Sequence, residues 1–112
     1  MVKEIYSVSS VNQYIRQMFE SDYALKHIYV KGEISNCKYH TSGHIYFTLK
    51  DKNAAIACVM FKGMRGGLSF QLTEGLSVIV LGSISVYERD GKYQLYAREI
   101  VRDGIGLLYA QY

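Results

Sequence analysis

The sequence predicts a small all-β fold, a five-stranded barrel preceded by one α-helix, and three observations support this prediction. Apolar and polar residues alternate with a period of two in several runs, which is typical of strands with one buried face. The chain has 112 residues, of which 49% are hydrophobic, so it can form one core but not two. It contains 11 tyrosines and no proline, a composition that suits strands. We therefore expect a single β domain.

One helix is predicted before the first strand. Apolar residues recur there at helical spacing, at Val8, Val11, Ile15 and Met18. This pattern predicts a helix over 9–20, and Ser10 followed by Gln13 resembles a capping box at its start. Most apolar stripes of this kind pack into a core, so we expect this one to plug one end of the barrel.

Three consecutive strands follow, over 28–35, 45–50 and 56–61. In the third of them, Val59 and Phe61 are predicted to point away from the core. The second strand directs its odd-numbered residues inward and leaves one row outward: His44, Tyr46, Thr48 and Lys50. An outward row of this composition is typical of a surface that binds nucleic acid.

Two more strands are predicted after a glycine-rich crossover, the fourth over 76–87 and the fifth over 93–101. Gly82 allows the fourth strand to bend sharply, and the Asp90-Gly91 pair is typical of a hairpin turn. Five strands with a long crossover after the third indicate a Greek-key barrel, the OB-fold, with the helix as its cap. Oligonucleotides cross strands two and three of this fold, between two loops that fall here at 38–43 and 88–92.

We expect residues 1–103 to form the barrel domain and residues 104–112 to begin a linker helix. The last residues turn apolar, with Leu107, Leu108 and Tyr109. Such residues are expected either to pack on the barrel or to mediate self-association.

Charge and composition indicate which cellular compartment and which type of partner to expect. Lys and Arg exceed Asp and Glu by 13 to 10, and the net charge of +3 permits a polyanionic partner without requiring one. No apolar run reaches the ~20 residues of a membrane span, and the N-terminus lacks the pattern of a secretion signal. We expect a cytoplasmic protein without membrane contact, in which Cys37 and Cys58 remain thiols.

Basic and aromatic residues are interleaved on the predicted outer face and on both loops. Basic residues neutralise phosphates, and aromatic rings offer flat faces on which bases stack. The predicted nucleic-acid-binding residues are Lys31, Lys38, Tyr39, His40, His44, Tyr46, Thr48, Lys50, Phe61, Lys62, Arg65, Arg89 and Lys92, with Tyr87 and Tyr93 as further stacking faces. The alternative is that a small barrel simply scatters such residues over its surface.

Metal binding and catalysis receive little support from the sequence. Cys37, His40 and His44 have a spacing that superficially suggests zinc ligands, but the run crosses from a strand through a turn into another strand. The carboxylates are dispersed over strand ends and turns, no activated nucleophile is indicated, and the glycine-rich crossover lacks the ending of a phosphate-binding loop. We therefore predict no catalytic residue, no metal and no cofactor in this chain.

Six segments form a recognisable series along the chain: VSSVNQYI (8–15), VKGEISN (30–36), SGHIYFTLKD (42–51), CVMF (58–61), YQLY (93–96) and DGIGLLY (103–109). Together they resemble the N-terminal domain of the large subunits of bacterial exodeoxyribonuclease VII. The resemblance implies a domain that holds single-stranded DNA for a hydrolase, which degrades it to oligonucleotides. It also implies a catalytic domain beyond the linker helix and a small subunit as partner of the intact protein.

Two other functions fit a barrel of this kind. A protein-interaction barrel would dock its outer face on the rest of its own subunit. An anticodon-binding barrel of an aminoacyl-tRNA synthetase would lack the apolar tail and the GEISN segment at 32–36. A salt-dependent affinity for oligo-dT favours the DNA-binding hypothesis, whereas binding only to the remainder of the subunit favours the docking hypothesis.

Overall fold

The computed structural model describes residues 4–104, which form a closed five-stranded barrel. The elements in chain order are α1 (Val8–Glu20), α2 (Tyr23–Lys26), β1 (Ile28–Tyr39), β2 (Ile45–Lys50), β3 (Ala55–Met60), a 3₁₀ helix (Lys62–Gly67), β4 (Ser77–Tyr87) and β5 (Lys92–Arg102). The predicted fold is confirmed, and the largest difference in a boundary is that β1 continues to residue 39. The predicted helix beyond residue 104, with its proposed self-association, lies outside the described residues.

The strands follow the order β1-β2-β3-β5-β4 around the barrel, and β4 pairs with β1 to close it. All neighbouring strands are antiparallel except β3 and β5. This parallel seam consists of two residue pairs, Cys58 with Leu95 and Val59 with Tyr96. The seam is therefore the shortest strand pairing of the barrel.

A bulge interrupts β1 where the strand leaves β4 and continues beside β2. Between Ser35 and Lys38, three steps along β1 match two steps along β2, and Asn36 adopts a φ of 51°. Asparagine reaches this left-handed conformation more readily than most residues do. The extra residue shifts the alternation by one position, so Lys38 lies on the outer face while Cys37 packs against the core.

The core confirms most of the predicted inward positions. Its buried residues are Ile34, Ile45, Phe47, Leu49, Cys58, Met60, Leu72, Val78, Val80, Leu95, Ala97 and Ile100. Val59 lies on the outer side of β3 as predicted, yet it is only 2% exposed. Its cross-strand neighbours are Tyr46 on β2 and Tyr96 on β5, whose large side chains exclude water from it. The outer face is therefore apolar beneath its aromatic rings.

Both helices begin at a side-chain cap. The hydroxyl oxygen of Ser7 accepts the backbone N–H of Ser10 at 3.1 Å, so Ser7 is the capping residue rather than Ser10. The short helix α2 was not predicted, and its cap is Asp22, whose carboxylate accepts the backbone N–H of Leu25 at 3.0 Å. Within residues 4–104, neither these helices nor the 3₁₀ helix is long and apolar enough to cross a membrane.

The expectation that the apolar stripe of α1 plugs the barrel is wrong. Val8 and Met18 are 80% and 58% exposed, and no residue of α1 is buried. The helix instead attaches through a different side, where Asn12 donates to the carbonyl oxygen of Glu88 at 2.8 Å and Phe19 packs on Tyr93. The crossover between β3 and β4 fills the core in its place by contributing Leu72. One side of α1 is thus left apolar and exposed.

Gly82 lies at a second bulge, between β4 and β5, where a Cβ atom would overlap the carbonyl oxygen of Tyr96. Gly82→Ala should lower the free energy of unfolding by about 1–3 kcal/mol, because the backbone of β5 must move to make room. Chemical denaturation measures this difference. Gly66→Ala is the matched control, because nothing lies within 4 Å of a Cβ atom there. Equal losses for the two variants would show that close backbone approach is not what requires glycine at position 82.

Cys58 is 3% exposed at the seam, and burial raises the pKa of its thiol to about 12. At pH 8 a thiol with that pKa is ionised on the order of 1 part in 10,000, and the thiolate is the reactive form. In a Cys37→Ser variant, a thiol reagent at pH 8 should therefore label the folded chain far more slowly than the denatured chain. Absorbance of the released thiolate measures both rates, and similar rates would contradict the burial of Cys58.

Candidate nucleic-acid interface

Five rings form a row across the outer face of the barrel, and we name this row the aromatic track: His40, Tyr46, His44, Phe61 and Tyr96. The ring centroids lie 6.0 Å apart for His40 and Tyr46 and 6.4 Å apart for Tyr46 and His44. The row continues at 5.2 Å from His44 to Phe61 and at 5.7 Å from Phe61 to Tyr96. Tyr46 and Phe61 are 42% and 44% exposed, so each presents part of its ring to solvent.

Hydrogen bonds fix the ends and the middle of the track. Nδ1 of His44 accepts the backbone N–H of Lys62 at 2.9 Å, which ties the β1–β2 loop to the 3₁₀ helix. Nδ1 of His40 accepts the backbone N–H of Ser42 at 3.0 Å. Because Nδ1 is the acceptor in both rings, the neutral form of each histidine carries its proton on Nε2. At the far end, the side-chain amide of Gln94 donates to the hydroxyl oxygen of Tyr96 at 2.9 Å.

Basic and polar side chains predicted from the sequence flank the track on two strands. Lys38 is in register with Tyr46, and the bulge at Asn36 is what turns it to this face. Thr48 and Lys50 continue the row along β2. Lys50 is in register with Glu33 across the β1–β2 pairing. Lys62 follows Phe61, and its aliphatic stem lies against Gly43.

Tyr39, the last residue of β1, lies against Arg65 of the crossover, and both side chains hold the crossover in place. The hydroxyl oxygen of Tyr39 accepts the backbone N–H of Leu72 at 2.8 Å. The guanidinium carbon of Arg65 lies 5.4 Å from the centroid of the Tyr39 ring, and Nη1 of Arg65 donates to the carbonyl oxygen of Gly43 at 3.3 Å. Both side chains are therefore engaged in structural contacts beside the track.

Lys31 lies on the β1–β4 side of the barrel, in register with Ile79. Its ammonium nitrogen is 3.3 Å from a carboxylate oxygen of Asp103. Asp103 partly balances its charge, and Lys31 borders the same shallow depression as Lys50, at the end of β2 away from Tyr46. Tyr93, a predicted stacking face, instead packs on Phe19 of α1 with ring centroids 6.1 Å apart.

The track ends at a groove of about 480 Å³ between α1 and the β4–β5 hairpin. Phe61, Tyr87, Arg89 and Tyr96 line it, while Lys92 is exposed at the start of β5. Arg16 of α1 also lines the groove, where it bonds Glu20 at 2.8 Å and Glu88 at 2.6 Å. These hydrogen bonds raise the pKa of Arg16, and the bond from Arg16 lowers the pKa of the Glu20 carboxyl.

Tyr96 and Arg16 are absent from the residues that the sequence predicted for the interface. Tyr96 could have been predicted from the sequence, because the alternation of β5 places it outward with Gln94 and Arg98. Arg16 could not, because its contact joins residues 72 positions apart. Arg98 does not join the track, since it donates to the carbonyl oxygen of Lys26 at 3.3 Å.

The structure does not bring the three zinc-ligand candidates together as a metal site. Cys37 packs against the core, and burial raises the pKa of its thiol. His40 and His44 use their Nδ1 atoms to accept backbone N–H groups. Over residues 4–104, no group of three His, Cys, Asp or Glu residues is placed to hold a metal ion.

Comparison with known sequences confirms the resemblance to exodeoxyribonuclease VII large subunits. The exodeoxyribonuclease 7 large subunit of Lachnoclostridium phytofermentans is 68% identical over 111 residues, which are 99% of this chain and 28% of that protein. The large subunit of Alkaliphilus oremlandii is 55% identical over 103 residues, which are 92% of this chain and 25% of that protein. The chain thus spans about a quarter of the length of these relatives.

Solved structures share the barrel at low sequence identity. A replication protein A heterotrimer bound to ssDNA aligns with a TM-score of 0.58 and 11% identity, covering 78% of this chain and 66% of that one. The asparaginyl-tRNA synthetase of Pyrococcus horikoshii aligns with a TM-score of 0.54 and 16% identity, covering 92% of this chain and 23% of that one. At these identities the likeness shows the fold alone. The family described as the OB-fold nucleic acid binding domain matches residues 6–101, and the chain belongs to this family.

Proposed function

We propose that this chain is the part of an exodeoxyribonuclease VII large subunit that holds single-stranded DNA. The observation that carries the proposal is the aromatic track, a continuous row of rings over β2, β3 and β5. Exposed rings bind single strands without regard to sequence, because every base has a face that can stack. Identities of 68% and 55% to large subunits of this enzyme support the same role.

Electrostatic contacts are proposed to complement the stacking. Lys38 is in register with Tyr46, and Lys62 follows Phe61, so ammonium groups flank two rings of the track. Phosphates between stacked bases then meet positive charge at each of these points. The Nε2–H groups of His40 and His44 are further donors for phosphate or base oxygens.

The hydrolysis itself is proposed to belong to the remainder of the subunit. The carboxylates of Glu20 and Glu88 pair with Arg16, and the histidines of the track serve as acceptors for backbone N–H groups. In this proposal the chain guides the strand toward a catalytic domain, in an assembly that also contains the small subunit. The assembly would act in the cytoplasm, where bacterial DNA lies.

A second candidate function concerns the exposed side of α1. Val8, Val11, Ile15 and Met18 are 80%, 39%, 41% and 58% exposed, although helices usually bury such a stripe. We propose that this side docks on the part of the large subunit that this chain does not cover. The two functions are compatible, because α1 contacts the barrel through a different side.

Tyr46→Ala should weaken binding of a single-stranded oligonucleotide by about 1–3 kcal/mol, because it removes a stacking face. It should leave the slope of log affinity against log salt unchanged, since a neutral ring releases no counterion. Lys38→Ala should weaken binding less and flatten this slope by up to about 0.7, the value for one lost phosphate contact on a single strand. Fluorescence anisotropy of a labelled oligonucleotide across a salt series measures both quantities.

Lys31→Ala is the matched control, because Lys31 pairs with Asp103 and lies seven residues before Lys38 on the same strand, away from the rings of the track. It should leave both the affinity and the slope close to those of the parent chain. Lys31→Ala could weaken binding as much as Lys38→Ala while Tyr46→Ala has no effect. That result would show that binding is non-specific electrostatic attraction and that the track is not the binding site.

The docking candidate is tested with the remainder of the Lachnoclostridium phytofermentans large subunit as the partner. Val8→Asp combined with Met18→Asp should abolish its binding to this chain in calorimetry, because both charges would be buried in the interface. Gln13→Asp combined with Gln17→Asp is the matched control, since it places the same charges on α1 away from the stripe. Absence of binding by the parent chain, or equal losses in both double variants, would contradict docking through the stripe.

A further inference from the structure

The groove at the end of the aromatic track has no role in the function proposed so far. We propose that it is a base-binding site that prefers a base with an exocyclic amino group, such as cytosine, over uracil or thymine. This inference rests on the proposed function, because the same strand would cross the track and place one base in the groove. The groove has a volume of about 480 Å³, within the range of small-ligand sites.

Charge balance argues that the groove receives a base rather than a phosphate. Two guanidinium groups, of Arg16 and Arg89, and two carboxylates, of Glu20 and Glu88, line the groove. The side chains lining the groove therefore carry no net charge, so they give a phosphate no net attraction. A neutral base needs no such attraction.

The hydrogen bonds within the groove leave acceptors available to a ligand. Nε of Arg16 donates to Oε2 of Glu20, and Nη1 of Arg16 donates to Oε2 of Glu88. The hydroxyl of Ser85 also donates to Oε2 of Glu20, at 3.2 Å. Among the described residues these bonds occupy one oxygen of each carboxylate, so Oε1 of both remains able to accept. The ion pairs with Arg16 also hold the two carboxylates in place.

Carboxylate acceptors distinguish the pyrimidines by their 4-position. Cytosine presents an amino group there, and a carboxylate accepts its N–H. Uracil and thymine present a carbonyl oxygen at the same position, which a carboxylate repels. Cytosine, uracil and thymine stack on aromatic rings with similar strength, so the hydrogen bond determines which base is preferred.

The track positions a base for this contact. The rings of Phe61 and Tyr96 line the groove at an interplanar angle of 38° with centroids 5.7 Å apart. The carboxylates of Glu20 and Glu88 line the same groove, and in the proposed site the polar edge of a base stacked on these rings faces them. Stacking and edge recognition thus act on the same base.

The test compares the binding of oligo-dC and of oligo-dU of equal length to the 112-residue chain at pH 8, where cytosine is neutral. Oligo-dC should bind about five- to tenfold more tightly, the effect of one charge-assisted hydrogen bond. Glu88→Gln should reduce this ratio to about twofold or less, because a side-chain amide can also donate to the uracil carbonyl. Glu20→Gln should reduce it in the same direction, which provides a second variant should the first fold poorly.

Glu74→Gln is the matched control, because this exposed residue precedes β4 outside the groove, and it should keep the ratio of the parent chain. Equal affinities of the parent chain for the two oligonucleotides, or an unchanged ratio in both groove variants, would overturn the base-site proposal. If Tyr46→Ala still weakens binding of both oligonucleotides in that case, the proposed function stands without it. If neither oligonucleotide binds, both proposals are overturned.

Discussion

The bulge at Asn36 determines which side chains of β1 face solvent, and the interface depends on it. A strand alternates with a period of two, so one added residue exchanges the two faces for every position that follows. Without it, Cys37 would lie beside Tyr46 and Lys38 would point into the barrel. The bulge falls where β1 leaves β4 and continues with β2, so the same local distortion bends the strand around the barrel and presents its lysine.

The aromatic track combines exposed ring faces with a rigid apolar support. Val59 is 2% exposed although it lies on the outer side of β3, because Tyr46 and Tyr96 flank it. Rings that rest on a packed valine lose little further freedom when a base stacks on them, which favours affinity. The hydrogen bond from the backbone of Lys62 to His44 extends this order into the β1–β2 loop. The proposed binding surface is thus organised without a ligand.

The strands were predictable from the sequence because a period of two reports the buried face directly, as in Ile45, Phe47 and Leu49 of β2. The prediction that the stripe of α1 plugs the barrel was wrong for a physical reason. Periodicity shows that a helix has an apolar side but not what covers that side. The part of the candidate interface that lies on β2 was predictable. The part formed by elements far apart in the sequence was not. The pairing of Arg16 with Glu88 and the closure of the track by Tyr96 depend on the relative placement of α1, β3 and β5.

The short seam between β3 and β5 places the interface late in the order of folding. β1, β2 and β3 can pair as successive neighbours, and β4 and β5 form a hairpin, but Val59 and Tyr96 meet only after a long loop has closed. Phe61 and Tyr96 lie on opposite sides of this seam, and their contact exists only in the completed ring of strands. A chain emerging from the ribosome therefore lacks the full track until β5 has been synthesised and docked. In the proposed function, the chain can therefore hold a strand of DNA only once its barrel is complete.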